Sequence, residues 1–151
     1  MNPSVLMVVG LPGCGKTTYL EELRRGGWSA FDDFKAGAVD DSSMFRKSRS
    51  FAALLSSLSG GGRCAVADID FCRTEARTEA ESVLRSMVSG LQMRWHFFEN
   101  DERACKENIK RRNRNSREAE LGKLHEYSRV YSIPRGAEVH PVAGPLCDLG
   151  R

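Results

Sequence analysis

No Cys-x-x-Cys pair occurs in this sequence, and its five cysteines, Cys14, Cys64, Cys72, Cys105 and Cys147, are odd in number. That argues against a disulfide framework and against the usual zinc spacings, so a reducing, cytoplasmic setting is expected. Long apolar stretches are missing too. The run over 5–9 is far too short to span a bilayer, has no basic flank, and leads straight into glycines, so neither a membrane span nor a targeting segment is expected. The two signs of charge nearly balance: the net charge of +3 neither demands nor discourages an anionic partner. Aromatic residues are only 8%, which leaves few platforms for stacking nucleic-acid bases. There is no internal repeat and no long linker, and 151 residues suit a single domain over 1–151.

What is present is an alternation. The unbroken apolar run 5–9 predicts a strand covered on both faces. A helix over 16–25 follows, stopped by Gly26-Gly27, and then a short strand over 28–31 ending at Asp32-Asp33. Residues 35–43 are small and polar and read as loop; Phe45, Ala52, Leu54, Leu55 and Leu58 suggest a helix ending at Gly60. Strands are expected over 64–67 and 95–98. Between them Ala76, Ala80, Val83, Leu84 and Met87 recur at helical spacing. A helix over 101–112, entered through Asn100 or Asp101 as cap, precedes a basic tract running to Arg117. A last helix carries Leu121, Leu124, Tyr127 and Tyr131, and a final strand is expected over 138–142. Strands alternating with helices imply an α/β fold: a parallel sheet of about five strands with helices on both faces. Ligands of such sheets gather at the carboxyl ends of the strands, where Gly10, Asp32, Asp33, Asp68 and Asp70 would lie.

Gly10-Leu11-Pro12-Gly13-Cys14-Gly15-Lys16-Thr17 fits the phosphate-binding pattern GxxxxGK[ST] in full, after a strand and before a helix. Glycines let consecutive N–H groups curl around phosphate oxygens, and the helix N-terminus adds partial positive charge. Gly10, Pro12, Gly13, Cys14, Gly15, Lys16, Thr17 and Thr18 are therefore the expected nucleotide-binding residues. Lys16 would reach the β- and γ-phosphates, Thr17 would ligate magnesium, and Thr18 would meet the α-phosphate. Cys14 reads as a small side chain filling a variable position. The base-reading motif NKxD of GTPases is absent.

Phosphoryl transfer also needs a base for the accepting hydroxyl and cations for the spreading charge. Asp32 and Asp33 are the candidates for the base. Asp68, ending the third apolar run, could hold magnesium or orient an arginine. The run Arg111, Arg112, Arg114 and Arg117 would form a short basic lid, arginine being always charged and able to fork onto phosphate oxygens. His96, His125 and His140 share no spacing and carry no expected role.

These features resemble the small P-loop kinases of the polynucleotide-kinase type, in the zeta-toxin/AAA_33-like group. The likeness is carried by the glycine loop with its Pro12-Gly13 pair, by Phe31-Asp32-Asp33-Phe34-Lys35, by Ala67-Asp68-Ile69-Asp70 followed by Arg73, and by the lid approach ending in Asn108-Ile109-Lys110-Arg111-Arg112. The resemblance implies Asp32 as base, Lys35 as the contact to an acceptor's phosphate where the family carries arginine, Asp68 as the aspartate near the lid, and Arg111 or Arg112 as the lid arginine. Asp33, Lys35, Asp68 and Arg73 join Asp32 as expected substrate contacts, and Lys16, Asp32, Arg111 and Arg112 are the expected catalytic set. The implied activity is transfer of the γ-phosphate of ATP, with Mg2+, to a hydroxyl. A polynucleotide 5′-OH is the first choice of acceptor and a nucleoside, sugar or other small metabolite the second. A non-catalytic NTP-binding protein is the reading from another class.

Overall fold

In the computed structural model, Ser4–Val9 forms strand β1, with Val5 to Val9 buried throughout, as a strand covered on both faces requires. The structure describes residues 2–35 and 45–144. Helix α1 (Lys16–Arg25) ends at Gly26 and leads to β2 (Ser29–Phe31). Helix α2 (Phe51–Ser59), β3 (Arg63–Ala67) and a 3-10 turn over Ile69–Cys72 follow. Then come α3 (Thr74–Met87), β4 (Gln92–Phe98), α4 (Glu102–Arg112), α5 (Arg117–Val130) and β5 (Val139–His140).

All five strands are parallel, in the order β2-β3-β1-β4-β5. The chain leaves β1 for β2 on one side, returns to fill β3 between them, then crosses to β4 on the other. β1 is therefore flanked by strands whose connections run in opposite directions. This is the switch point where the loop after a strand is left open to a ligand. The loop at that point is the glycine loop.

The expected elements differ from the observed ones at three places. β4 starts three residues before Trp95, because the exposed Gln92 and Arg94 break its apolar pattern. α2 starts at Phe51, and Phe45 sits before it in a turn, buried against Phe34, Phe51 and Phe71. The last strand shrinks to two residues, since Pro141 carries no N–H to continue the ladder. Of the loop expected over 35–43, only Lys35 lies within the described residues; Cys147 lies outside them. Among the described residues no helix is long and apolar enough to cross a membrane.

Candidate functional site

The glycine loop is shaped by close approaches. Gly13 has φ +85°, and a side chain there would meet the carbonyl oxygen of Cys105 at 2.5 Å; Gly15 has φ +109°, and a side chain would meet Ala143 at 2.7 Å. Only glycine tolerates both the left-handed backbone and the contact. Gly15 caps α1 without a side-chain bond, and no acidic residue occupies the first turn. The first intrahelical bond runs from the Tyr19 N–H to the Gly15 carbonyl at 3.0 Å. The N–H groups of Lys16, Thr17 and Thr18 therefore have no helical carbonyl to serve and are available to an anion.

Lys16 folds over the loop, its Nζ donating to the carbonyls of Gly10 at 2.6 Å and Leu11 at 2.9 Å. The Thr17 hydroxyl donates to Asp32 Oδ2 at 2.6 Å, which joins the start of α1 to the end of β2. Asp33 has φ +47° and donates its N–H to Asp32 Oδ1 at 3.0 Å, fixing the turn after β2. Partial burial and the neighbouring Asp32 raise the Asp33 carboxyl above the usual range, against the pull of Lys16 and Lys123.

A cleft of about 370 Å³ opens over the loop. It is lined by Pro12, Gly13, Gly15, Lys16, Thr17 and Thr18 of the loop and the start of α1, by Asp32 and Asp33 after β2, by Ile69 after β3, and by Arg112, Arg114, Ser116, Glu120 and Lys123 from the end of α4 to α5. A smaller cavity of about 220 Å³ adjoins it, lined by Gly13, Gly15, Thr18, Asn108, Arg112, Ala143 and Gly144. Arg112 and Thr18 border both.

The arginine tract is divided by structure. Asn113, with φ +48°, ends α4, and Arg117 begins α5. Arg112 lines the cleft and pairs with Glu120 at 3.1 Å, whereas Arg111 is outside the lining and donates to Asn108 Oδ1 at 3.1 Å.

Other expected site residues stand elsewhere. Asp68 is 5% exposed and is not in the cleft lining. Its two oxygens accept the backbone N–H groups of Lys35 at 2.6 Å and Asp70 at 2.9 Å. Burial raises its carboxyl above the ordinary range despite those bonds. Lys35 is 8% exposed and its ammonium pairs with Asp70 at 2.8 Å. Asp70 also accepts from the Tyr127 hydroxyl at 3.0 Å, and Arg73 lies over the Tyr127 ring at 5.2 Å. Gly10 and Cys14 are likewise off the cleft surface; Cys14 is fully buried and burial pushes its thiol up, so it fills space rather than reacting.

Sequence reasoning missed Ser116, Glu120 and Lys123, although they stand at spacings of four and three on one face of α5, and it gave Asn108 no role of its own. The Asn108 amide donates to the carbonyls of Gly13 at 2.9 Å and Ala143 at 2.6 Å, clamping the glycine loop to the segment after β5.

A magnesium ion prefers one or two carboxylates beside phosphate oxygens. The Thr17 hydroxyl and Asp32 stand together in the cleft and fit that donor set. Among the described residues no cluster of three or more His, Cys, Asp or Glu side chains forms a cage of its own.

Compared with known proteins, residues 5–134 match the AAA_33 family, described as an AAA domain. No curated protein sequence matches the chain. Among solved structures it is similar to a gluconokinase from Sinorhizobium meliloti 1021, with TM-score 0.59 and 18% identity over 97% of this chain and 86% of that one. It is similar to a fungal RNA kinase, with TM-score 0.61 and 11% identity over 87% of this chain and 66% of the other. A chain of the Pnkp1/Rnl/Hen1 RNA repair complex aligns at TM-score 0.50 and 14% identity over 91% of this chain, which spans 50% of that longer one. At these identities the likeness is one of fold.

Proposed function

Because the chain belongs to the AAA_33 family of AAA-domain proteins, we propose that it is an ATP-dependent kinase that transfers the γ-phosphate to a hydroxyl. The single observation that carries this is a carboxylate held at the glycine loop within one cleft: Asp32 accepts from the Thr17 hydroxyl at 2.6 Å and lines the same cleft as Lys16 and Arg112.

On this reading the loop N–H groups and Lys16 hold the β- and γ-phosphates, and the adjoining cavity beside Asn108 and Ala143 takes the nucleoside. Asp32 accepts the proton of the attacking hydroxyl, the hydroxyl oxygen bonds to the γ-phosphorus, and ADP departs. Arg112 lies against the equatorial oxygens, where charge is spread in the transition state. Thr17 and Asp32 would hold a magnesium ion beside the phosphates, and the ion would supply neutralisation of their charge. Asp68, with both oxygens on backbone N–H groups, shapes the floor beneath the site.

The acceptor that best suits this cleft is a small polar metabolite, because among the described residues no aromatic side chain lines it. The fold it shares with a gluconokinase accommodates that reading. A polynucleotide 5′-OH is the second reading, favoured by Arg112, Arg114 and Lys123 in the cleft lining and by the fold shared with a fungal RNA kinase.

The test is transfer of label from γ-labelled ATP to neutral sugars, sugar acids, nucleosides and 5′-OH oligonucleotides. One acceptor class should gain label, and Asp32→Asn should slow transfer about 10²- to 10⁴-fold with ATP still bound. Equal transfer by the variant would remove Asp32 as base; ATP binding without transfer to any class would sink the kinase reading.

A further inference from the structure

Glu120 and Lys123 on α5, with Ser116 as its N-cap, line the cleft. Tyr127, outside the lining, continues the same face, the four residues following at spacings of four, three and four. The two ends of this face are fixed. Tyr127 anchors one end through Asp70, at 3.0 Å. At the other end Glu120 accepts from the Ser116 hydroxyl at 2.7 Å and from Arg112 at 3.1 Å. Lys123 stands between these anchors and lines the cleft, with no hydrogen bond or ion pair among the described residues.

The cations of the cleft therefore divide. Lys16 lies over the glycine loop and Arg112 borders both the cleft and the adjoining cavity. Lys123 borders the cleft alone, and its charge bears on Asp33. Arg114 is the other lining cation that has no side-chain partner among the described residues, but it sits in the linker between α4 and α5, not on an anchored helix. A lysine is strongly hydrated and freely rotating, and it holds a point of negative charge rather than a planar edge.

We propose that Lys123 holds an anionic group, a carboxylate or a phosphate, carried by the hydroxyl acceptor, and so selects a small hydroxy acid or sugar phosphate over its neutral counterpart. This rests on the kinase reading above. Lys123 and Asp32 line the same cleft, so an acceptor whose anion lies at Lys123 can present its hydroxyl at Asp32, and among the described residues no aromatic side chain lines the cleft to compete with charge as the handle on the molecule.

The test uses the full chain and its Lys123→Met and Lys123→Arg variants. Gluconate, glycerate and glucose 6-phosphate serve as charged acceptors, with glucose and glycerol as neutral ones. The wild type should prefer a charged acceptor. Lys123→Met should raise KM for it about 10- to 100-fold, the size of a lost hydrogen bond to a charged group, with KM for ATP moving less than about twofold. Lys123→Arg should restore most of the preference. A preferred carboxylate or a preferred phosphate identifies which anion Lys123 holds. A rise in KM for ATP, an equal loss for charged and neutral acceptors, or turnover confined to neutral acceptors or oligonucleotides would overturn the assignment. Calorimetric titration of the same probes with a non-hydrolysable ATP analogue separates the two readings. Lys123-dependent binding of an anion without turnover would keep the anion site and discard the kinase, and binding of no anion would discard the site.

Discussion

Asn108 shows how one side chain decides whether a loop is ready for its ligand. Its amide holds the carbonyls of Gly13 and Ala143 together, at 2.9 and 2.6 Å, from the middle of α4. Replacing it with alanine leaves two carbonyls without that donor. At about 0.5–1.5 kcal/mol per neutral hydrogen bond, Asn108→Ala should lower stability by about 1–3 kcal/mol. It should also weaken nucleotide binding, because the loop must then be ordered by the ligand. Urea unfolding and nucleotide titration check this; an unchanged midpoint with unchanged affinity would show the clamp to be idle. Nothing in the sequence singled out Asn108 for this role. An asparagine within a helix is ordinarily exposed, and its two acceptors lie 95 and 35 residues away along the chain. Lys16 and the glycines were legible for the opposite reason: their work is local, so their spacing records it.

At the scale of elements, α5 is held against the turn after β3 by a polar cluster in which Asp70 takes both the Lys35 ammonium and the Tyr127 hydroxyl. Burial raises the Asp70 carboxyl, but Lys35 and Tyr127 outweigh it, so its pKa lies below the ordinary value. Burial and the bond to Asp70 push the Tyr127 hydroxyl the other way, to about 12. A carboxyl lowered in the folded state contributes stability that is present above its unfolded pKa and lost as pH falls through the folded one. Lys35→Met should cost about 2 kcal/mol, less than the roughly 3–5 kcal/mol of a fully buried pair because Asp70 keeps a quarter of its side chain exposed. The variant should also lose part of the acid-range dependence below about pH 4. Denaturant midpoints from pH 2 to 7 measure both, and equal slopes in the two proteins would show that the pair does not govern acid stability. The sequence pointed Lys35 toward an acceptor's phosphate by resemblance. The fold engages its ammonium with Asp70, because the turn after β2 and the turn after β3 end side by side on neighbouring strands.

At the scale of the whole molecule, one column of rings ties α1 to the far edge of the sheet. Tyr19 stacks on His96 at 4.2 Å, and His96 on His140 at 3.8 Å, so α1, β4 and the short β5 share a contact. Burial, with His140 and Arg94 nearby, lowers the His96 pKa to about 4 from 6.5. The unfolded chain then binds the proton more readily between those values, so stability should rise with pH across that window and fall as pH drops from 6.5 toward 4. His96→Phe keeps the stack and removes the titration, and should flatten this part of the profile. Thermal melts between pH 4 and 7 test it; an identical slope in the variant would assign the dependence elsewhere.

The sequence by itself determined the alternation of strands and helices, the parallel sheet, and the glycine loop that opens α1. Each is written in spacing within a few residues: an apolar run buried on two faces, a helical period, glycines where the backbone curls. The boundaries it misplaced lie where polar residues face outward along β4, where Phe45 packs from a turn ahead of α2, or where Pro141 ends β5. Only the tertiary structure decided that Arg112, not Arg111, lines the cleft. It decided that both oxygens of Asp68 serve backbone groups, and that Lys123 lines the cleft with Asp32 and Asp33 and has no hydrogen bond or ion pair among the described residues. Those outcomes depend on how α4 and α5 rotate about their axes once packed, and a change of one residue in phase turns a side chain by about 100°. Sequence spacing fixes which residues share a helix face, whereas packing between distant segments fixes where that face points.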